Sequence, residues 1–90
     1  MARVHFTPHL RQFFELPDVH EVEAATLGEV VAALDAHWPG LGFYVTDERS
    51  HVRKHVAVWI DGSLLTDRTA LDQAIGNNSE IHILQALSGG

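Results

Sequence analysis

Cysteine is missing from this 90-residue chain. Its absence removes disulfides, thiolate metal sites, iron–sulfur clusters and thiol nucleophiles together. Long apolar runs are missing as well, and nothing approaches the roughly 20 residues that cross a bilayer. The opening Met1-Ala2-Arg3-Val4-His5-Phe6 lacks the apolar stretch of a secretory signal. These absences lead us to expect a soluble, cytoplasmic protein with no membrane partner. Positive charge is scarce: six Lys and Arg stand against twelve Asp and Glu, a formal charge of −6. No Lys or Arg falls between Gln12 and Glu48, a stretch holding Glu15, Asp18, Glu21, Glu23, Glu29, Asp35 and Asp47. An acidic surface repels phosphate, so no nucleic-acid partner is expected. Such a surface suits either plain solvation or a basic protein partner. Arg49, Arg53 and Lys54 then cluster within six positions.

What the chain does have is apolar content, 46% against 20% charged, which excludes a disordered segment. Its length fits one domain with one modest core, burying roughly 60–65% of the unfolded surface. Arg3–Thr7 alternates with period two, Val4 and Phe6 sharing a face, and reads as a strand closed by Pro8. Leu10 to Leu16 is apolar without clean periodicity and reads as an irregular connection, with a turn at Leu16-Pro17-Asp18. Val19–Ala24 is a second strand, giving a hairpin with a long connection. Thr26-Leu27-Gly28-Glu29 is a capping box that opens a helix. Leu27, Val30, Val31, Leu34 and Trp38 follow as one apolar stripe, and Pro39-Gly40 ends it.

Residues 40–54 read as a long loop. His55–Ile60 alternates again, Asp61-Gly62 marks a hairpin turn with positive φ at both central residues, and Ser63–Leu65 returns. Ala70–Ile75 reads as a single helical turn and Glu80–Ala86 as the last strand. The order β-β-α-β-β-(turn)-β makes a two-layer α+β domain: a mixed sheet of four to five strands on one main helix. It is the order of the ubiquitin-like β-grasp, whose first and last strands are central and parallel. We expect that domain to span residues 1–86, with residues 87–90 a tail.

Gly89-Gly90 ends the chain directly after a strand. Lacking Cβ, the two glycines let a terminal carboxylate approach another surface closely. Leu16-Pro17, the helix opening Thr26-Leu27-Gly28-Glu29-Val30-Val31-Ala32-Ala33-Leu34, the hairpin Val58-Trp59-Ile60-Asp61-Gly62 and the Gly89-Gly90 end together resemble the MoaD/ThiS family of ubiquitin-like sulfur carriers. Two stretches depart from its pattern. Gly76-Asn77-Asn78-Ser79-Glu80 stands where the family usually has Gly-Asp, and Gln85-Ala86 stands where Pro often precedes the tail.

The resemblance implies a carrier rather than an enzyme. Gly90 would be adenylated by an E1-like enzyme and converted to a thiocarboxylate, with Gly89, Ser88 and Leu87 read as the tail. The implied partners are that enzyme, a sulfur-accepting synthase and, where residues follow Gly90, a peptidase exposing the diglycine. No cofactor is bound, since ATP is used by the activating partner. Candidate pathways are cysteine, molybdopterin, thiamine and sulfur-containing secondary metabolites. The 40–54 insertion leans toward the cysteine and natural-product carriers.

Trp59, His82, Leu84 and Ala86 lie opposite the core positions Val58, Ile60, Ile81 and Ile83, and are expected to form a partner face. The competing expectation is that loop 40–54 folds over them. The seven histidines show no helical ligand spacing and read as scattered surface residues, so no metal site is assigned. No nucleophile–base pattern assigns a catalytic residue either. Two other functions compete: a protein modifier joined to target lysines through Gly90, and a non-covalent β-grasp binding module.

Overall fold

The first strand of the computed structural model, β1 (Ala2–Phe6), turns Ala2, Val4 and Phe6 into the core while Arg3 and His5 face outward. The structure describes residues 1–85. Pro8 does not simply close β1; it opens α1 (Pro8–Phe14), correcting the expectation of an irregular connection. Pro suits a first helical position, where its missing N–H is no loss and its φ is already set. Thr7 caps the helix by accepting the Leu10 N–H, 3.4 Å away. Glu15 ends it in a left-handed conformation, φ 53°, donating its N–H to the Arg11 carbonyl at 3.0 Å. Leu10 is the helix's one buried residue, so no apolar stripe marks it in the sequence.

β2 (Val19–Val22) runs antiparallel to β1, with Val22 opposite Ala2 and Val19 opposite His5. It stops short of the expected Ala24 because β1 begins at Ala2 and offers no further partner.

The main helix, α2 (Leu27–His37), buries Leu27, Val30, Val31 and Leu34 and leaves Trp38 half-buried, as the stripe required. Thr26 Oγ1 accepts the Glu29 N–H at 3.2 Å, and the Glu29 carboxylate reaches back to the Ala25 N–H at 2.9 Å. The next two donors go to a distant segment: Leu27 N–H to Gln73 O (2.9 Å) and Gly28 N–H to Leu71 O (2.8 Å). This segment was expected to be a helical turn over Ala70–Ile75. It is instead a strap across the helix start, anchored by buried Ile75 and by the Ile75 N–H bonded to Ala25 O. The Leu71 and Gln73 carbonyls serve α2, and the segment's own helical bonding stops at one turn, the Gln73 N–H to Ala70 O at 3.1 Å.

The expected loop 40–54 also contains structure. α3 (Leu41–Val45) buries Leu41, Gly42 and Val45 against α2. Asp35 Oδ1 accepts the N–H groups of Gly40 and Gly42, both at 3.0 Å, and so supplies the cap from the preceding helix. A Cβ on Gly42 would lie 2.8 Å from the Asp35 Cβ, so only glycine permits that approach.

β3 (Val56–Ile60) and β4 (Ser63–Leu64) form the expected hairpin, with Asp61 at φ 51° and Gly62 at φ 84°. β5 (Glu80–Gln85) fills the centre, parallel to β1 and antiparallel to β3, giving the order β2-β1-β5-β3-β4. Ala86, expected to end that strand, and the expected 86/87 domain boundary lie outside the described residues.

Candidate functional site

Residues paired across neighbouring strands share a face, so the register itself builds a surface. Val19 pairs with His5, His5 with His82, His82 with Trp59, and Trp59 with Leu64. These five side chains form one row across the whole sheet, on the side away from the core. Val19 is 39% exposed, Trp59 38% and Leu64 46%, so the row presents apolar surface to solvent at three of its five places. Leu84 stands on the next rung, opposite Ala57, on the same face.

Two imidazoles hold the middle of the row. The His5 and His82 rings stack with centroids 4.3 Å apart and planes within 6°. His5 Nε2 lies 2.6 Å from the Glu80 carboxylate, which also accepts from Arg3 Nε at 2.9 Å and Nη2 at 3.2 Å. The hydrogen bond from Arg3, then that from His5, holds the Glu80 carboxyl below its ordinary range, and the Arg3 guanidinium is raised in turn. The face therefore has a charged, hydrogen-bonded border and an apolar end at Trp59 and Leu64.

Of the expected partner-face residues, Trp59, His82 and Leu84 are brought together. Ala86, together with the expected tail residues Leu87, Ser88, Gly89 and Gly90, lies outside the described residues. The 40–54 segment does not cover this face, since Leu41, Val45 and Val52 pack into the core on the other side of the sheet. Sequence reasoning missed His5, Val19 and Leu64. His5 was visible as the residue between inward Val4 and Phe6, but its pairing with His82 depends on a parallel register 77 residues apart.

Four of the seven histidines sit in two pairs, which corrects part of the expectation that they are scattered. Besides His5 and His82, His20 lies 5.0 Å from His37 and meets Trp38 edge-on at 4.8 Å, while His55 meets Tyr44 edge-on at 4.9 Å. Burial, then the neighbouring His37, pushes His20 below the ordinary histidine range. Among the described residues no group of three or more His, Asp or Glu is placed to hold a metal ion. No helix among them is long and apolar enough to cross a membrane.

A parallel central pair flanked by antiparallel edge strands, with one crossover helix on the inner face, defines a ubiquitin-like β-grasp protein. Solved structures agree. The chain is similar to one in the Amycolatopsis orientalis BexX/CysO complex (17% identity, all of both chains covered, TM-score 0.83). It is similar to Mycobacterium tuberculosis CysO, described as an antigen (21% identity, 97% of this chain and 100% of that one, TM-score 0.84). It also resembles SAMP1 from Haloferax volcanii (22% identity, 99% and 98% covered, TM-score 0.77). No curated protein matches. The ThiS family model matches residues 4–90, and the chain belongs to that ThiS/MoaD group of ubiquitin-like sulfur carriers.

Proposed function

We propose that this protein is not an enzyme and carries sulfur as a thiocarboxylate on Gly90. The observation that carries the reading is the family match, which runs through the terminal Gly89-Gly90. Support comes from β5, the central strand of the sheet, which ends at Gln85, five residues before Gly90 in the sequence.

The chemistry needs a carboxylate and a partner. An oxygen of the Gly90 carboxylate attacks the α-phosphorus of ATP within an E1-like enzyme, and pyrophosphate leaves. Hydrosulfide then attacks the acyl carbon of the adenylate, a C–S bond forms and AMP leaves with the carboxylate oxygen, so one oxygen has been replaced by sulfur. A synthase accepts that sulfur in a biosynthetic pathway leading to cysteine, molybdopterin, thiamine or a sulfur-containing secondary metabolite. The carrier binds no cofactor, and ATP belongs to the activating enzyme. A peptidase acts only where residues follow Gly90. The sheet face holding Trp59, His82 and Leu84 is the surface we assign to the activating enzyme. That a relative was solved in a complex with BexX supports a partner-dependent role.

Incubation with ATP, an E1-like enzyme and a sulfide donor should raise the intact mass by the difference between sulfur and oxygen, located on the C-terminal peptide. An unchanged mass with an enzyme proven to activate this chain would overturn the reading. The likeness to the small archaeal modifier protein 1 of Methanosarcina acetivorans favours a second reading, conjugation through Gly90 to target lysines. Glycine remnants in isopeptide linkage on other proteins would establish it. Lys54, the chain's single lysine, is the one side-chain acceptor for self-linkage. Binding that survives loss of Gly89-Gly90 would instead leave a non-covalent module.

A further inference from the structure

A second surface lies on the other flank of the sheet, beside the end of β5. Gln85 pairs with Val56, and the preceding His55 lines an open groove of about 440 Å³ with Phe14, Gly40, Phe43, Tyr44 and Arg53. Phe14 and Tyr44 meet edge-on at 5.9 Å, Tyr44 and His55 at 4.9 Å, and Phe43 is 57% exposed. The walls are thus aromatic, with one guanidinium, one imidazole and no carboxylate.

Arg53 is held in place rather than trailing in solvent. Its Nε donates to the Phe43 carbonyl at 2.7 Å and its guanidinium sits 4.6 Å from the centre of the Phe43 ring. Only Nε is used in that hydrogen bond, which leaves the outer guanidinium edge toward an acceptor. The chain has twice as many carboxylates as Lys and Arg, yet among the described residues Arg49, Arg53 and Lys54 form no ion pair. The nearby Asp47 carboxylate is turned to backbone instead, accepting the Arg49 and His51 N–H groups at 2.9 and 3.0 Å. The platform beneath is fixed, with Leu41 and Val45 in the core and Asp35 capping α3.

We propose that this groove docks an acidic segment of a protein partner that carries one bulky apolar side chain. The apolar side chain seats among Phe14, Phe43 and Tyr44, and the flanking carboxylates meet Arg53. A nucleic acid fits less well, because its dense phosphates would also meet the acidic remainder of a chain of net charge −6. Since the Trp59 row is on the opposite face of the sheet, a partner in the groove leaves that row uncovered. The inference does not depend on the thiocarboxylate chemistry.

The test is an NMR titration of the full chain with a short synthetic peptide of Asp and Glu flanking one Leu. The expected shifts fall on Phe43, Tyr44, Arg53 and His55, weaken as salt is raised, and leave Trp59 and His82 unmoved. Phe43→Ala and Arg53→Gln should each weaken binding roughly tenfold, the cost of a lost anchor or charged hydrogen bond. Unshifted Trp59 and His82 resonances show that each variant is folded. No shift, shifts centred on Trp59, or equal binding by the peptide with Lys in place of its acids would overturn the proposal. Equal shifts with a single-stranded oligonucleotide would overturn it in favour of a polyanion site. Neither Gly90 nor ATP enters the measurement, so its failure is separate from a failure of the carrier reading.

Discussion

Replacing Arg68 tests whether one side chain holds the 52–56 turn to the coil that follows β4. Its Nη1 lies 2.8 Å from the Val56 carbonyl oxygen and 3.5 Å from that of Val52, and also meets the Arg53 carbonyl. The Arg68 carbonyl in turn accepts the Val52 N–H at 2.8 Å. A hydrogen bond from a charged donor contributes about 1.5–3 kcal/mol. Arg68 is half-buried, so water can re-enter and serve the orphaned carbonyls. The total loss for Arg68→Ala is therefore about one such bond, roughly 1.5–3 kcal/mol, rather than a sum of three. In a domain of this size each kcal/mol moves Tm by about 4–8 °C. Arg68→Met keeps the aliphatic stem and separates packing from hydrogen bonding, and should lose nearly as much as Ala. Arg68→Lys, which keeps the charge but not the planar fork, should fall between Met and wild type. Urea melts followed by Trp fluorescence, with an unchanged slope, give the differences. A loss below about 0.5 kcal/mol for Arg68→Met would refute the reasoning, showing that water replaces the guanidinium fully.

Leu34→Ala should cost about 2–5 kcal/mol in the same melts, because Leu34 is fully buried at the centre of the α2 stripe. Gly42→Ala should destabilise by about 1–3 kcal/mol despite the better helix propensity of Ala, since its Cβ would overlap the Asp35 side chain. Hydrogen bonds hold the Asp47, Asp67 and Glu80 carboxyls below their ordinary range, so the folded state releases those protons more readily than the unfolded chain. Their stabilisation is present above the unfolded values and is lost as pH falls toward the folded ones. Glu80→Gln should flatten that acid limb in melts taken across it. His20, lowered chiefly by burial, acts at higher pH: the unfolded chain protonates first as pH drops through the ordinary histidine range, so stability falls there, and His20→Gln should remove that slope. Gly90→Ala should leave the melt unchanged, because the substitution removes no side chain and so opens no cavity. Thiocarboxylate formation, followed by mass spectrometry with the same activating enzyme, should slow on the order of a hundredfold if the added methyl displaces the reacting carbon by about 1 Å.

Features written within a few neighbouring residues were legible in the sequence. Thr26 and Glu29 cap α2 through short-range contacts, Asp61-Gly62 adopts positive φ at both positions, and inward Val4, Phe6, Val58, Ile81 and Ile83 follow simple alternation. Features supplied by another part of the chain were not. α3 depends on Asp35 for its cap, and the 70–75 strap exists because α2 offers two unpaired N–H groups to its carbonyls. The helix α1 hid for a different reason: with Leu10 alone buried, seven residues show no period to read.

The same division runs through the site. Trp59, His82 and Leu84 were legible as outward positions of two strands, but the row that joins them to His5, Val19 and Leu64 is a property of the register. That register gives β5 two duties. Ile81 and Ile83 pack the core inward, while His82 and Leu84 face outward. On the proposed carrier reading, a partner that grips the outer face of β5 holds the strand that ends at Gln85, five residues before Gly90 in the sequence. Holding that strand would leave fewer degrees of freedom to be lost when the Gly90 carboxylate is positioned for attack. Weakening the stacked His5–His82 pair, by His5→Ala for instance, should consequently raise the KM for the carrier in adenylation while leaving the rate at saturation unchanged. A lower saturating rate with an unchanged KM would mean that the face takes part in positioning the carboxylate itself, and would refute the separation of docking from delivery argued from the sheet.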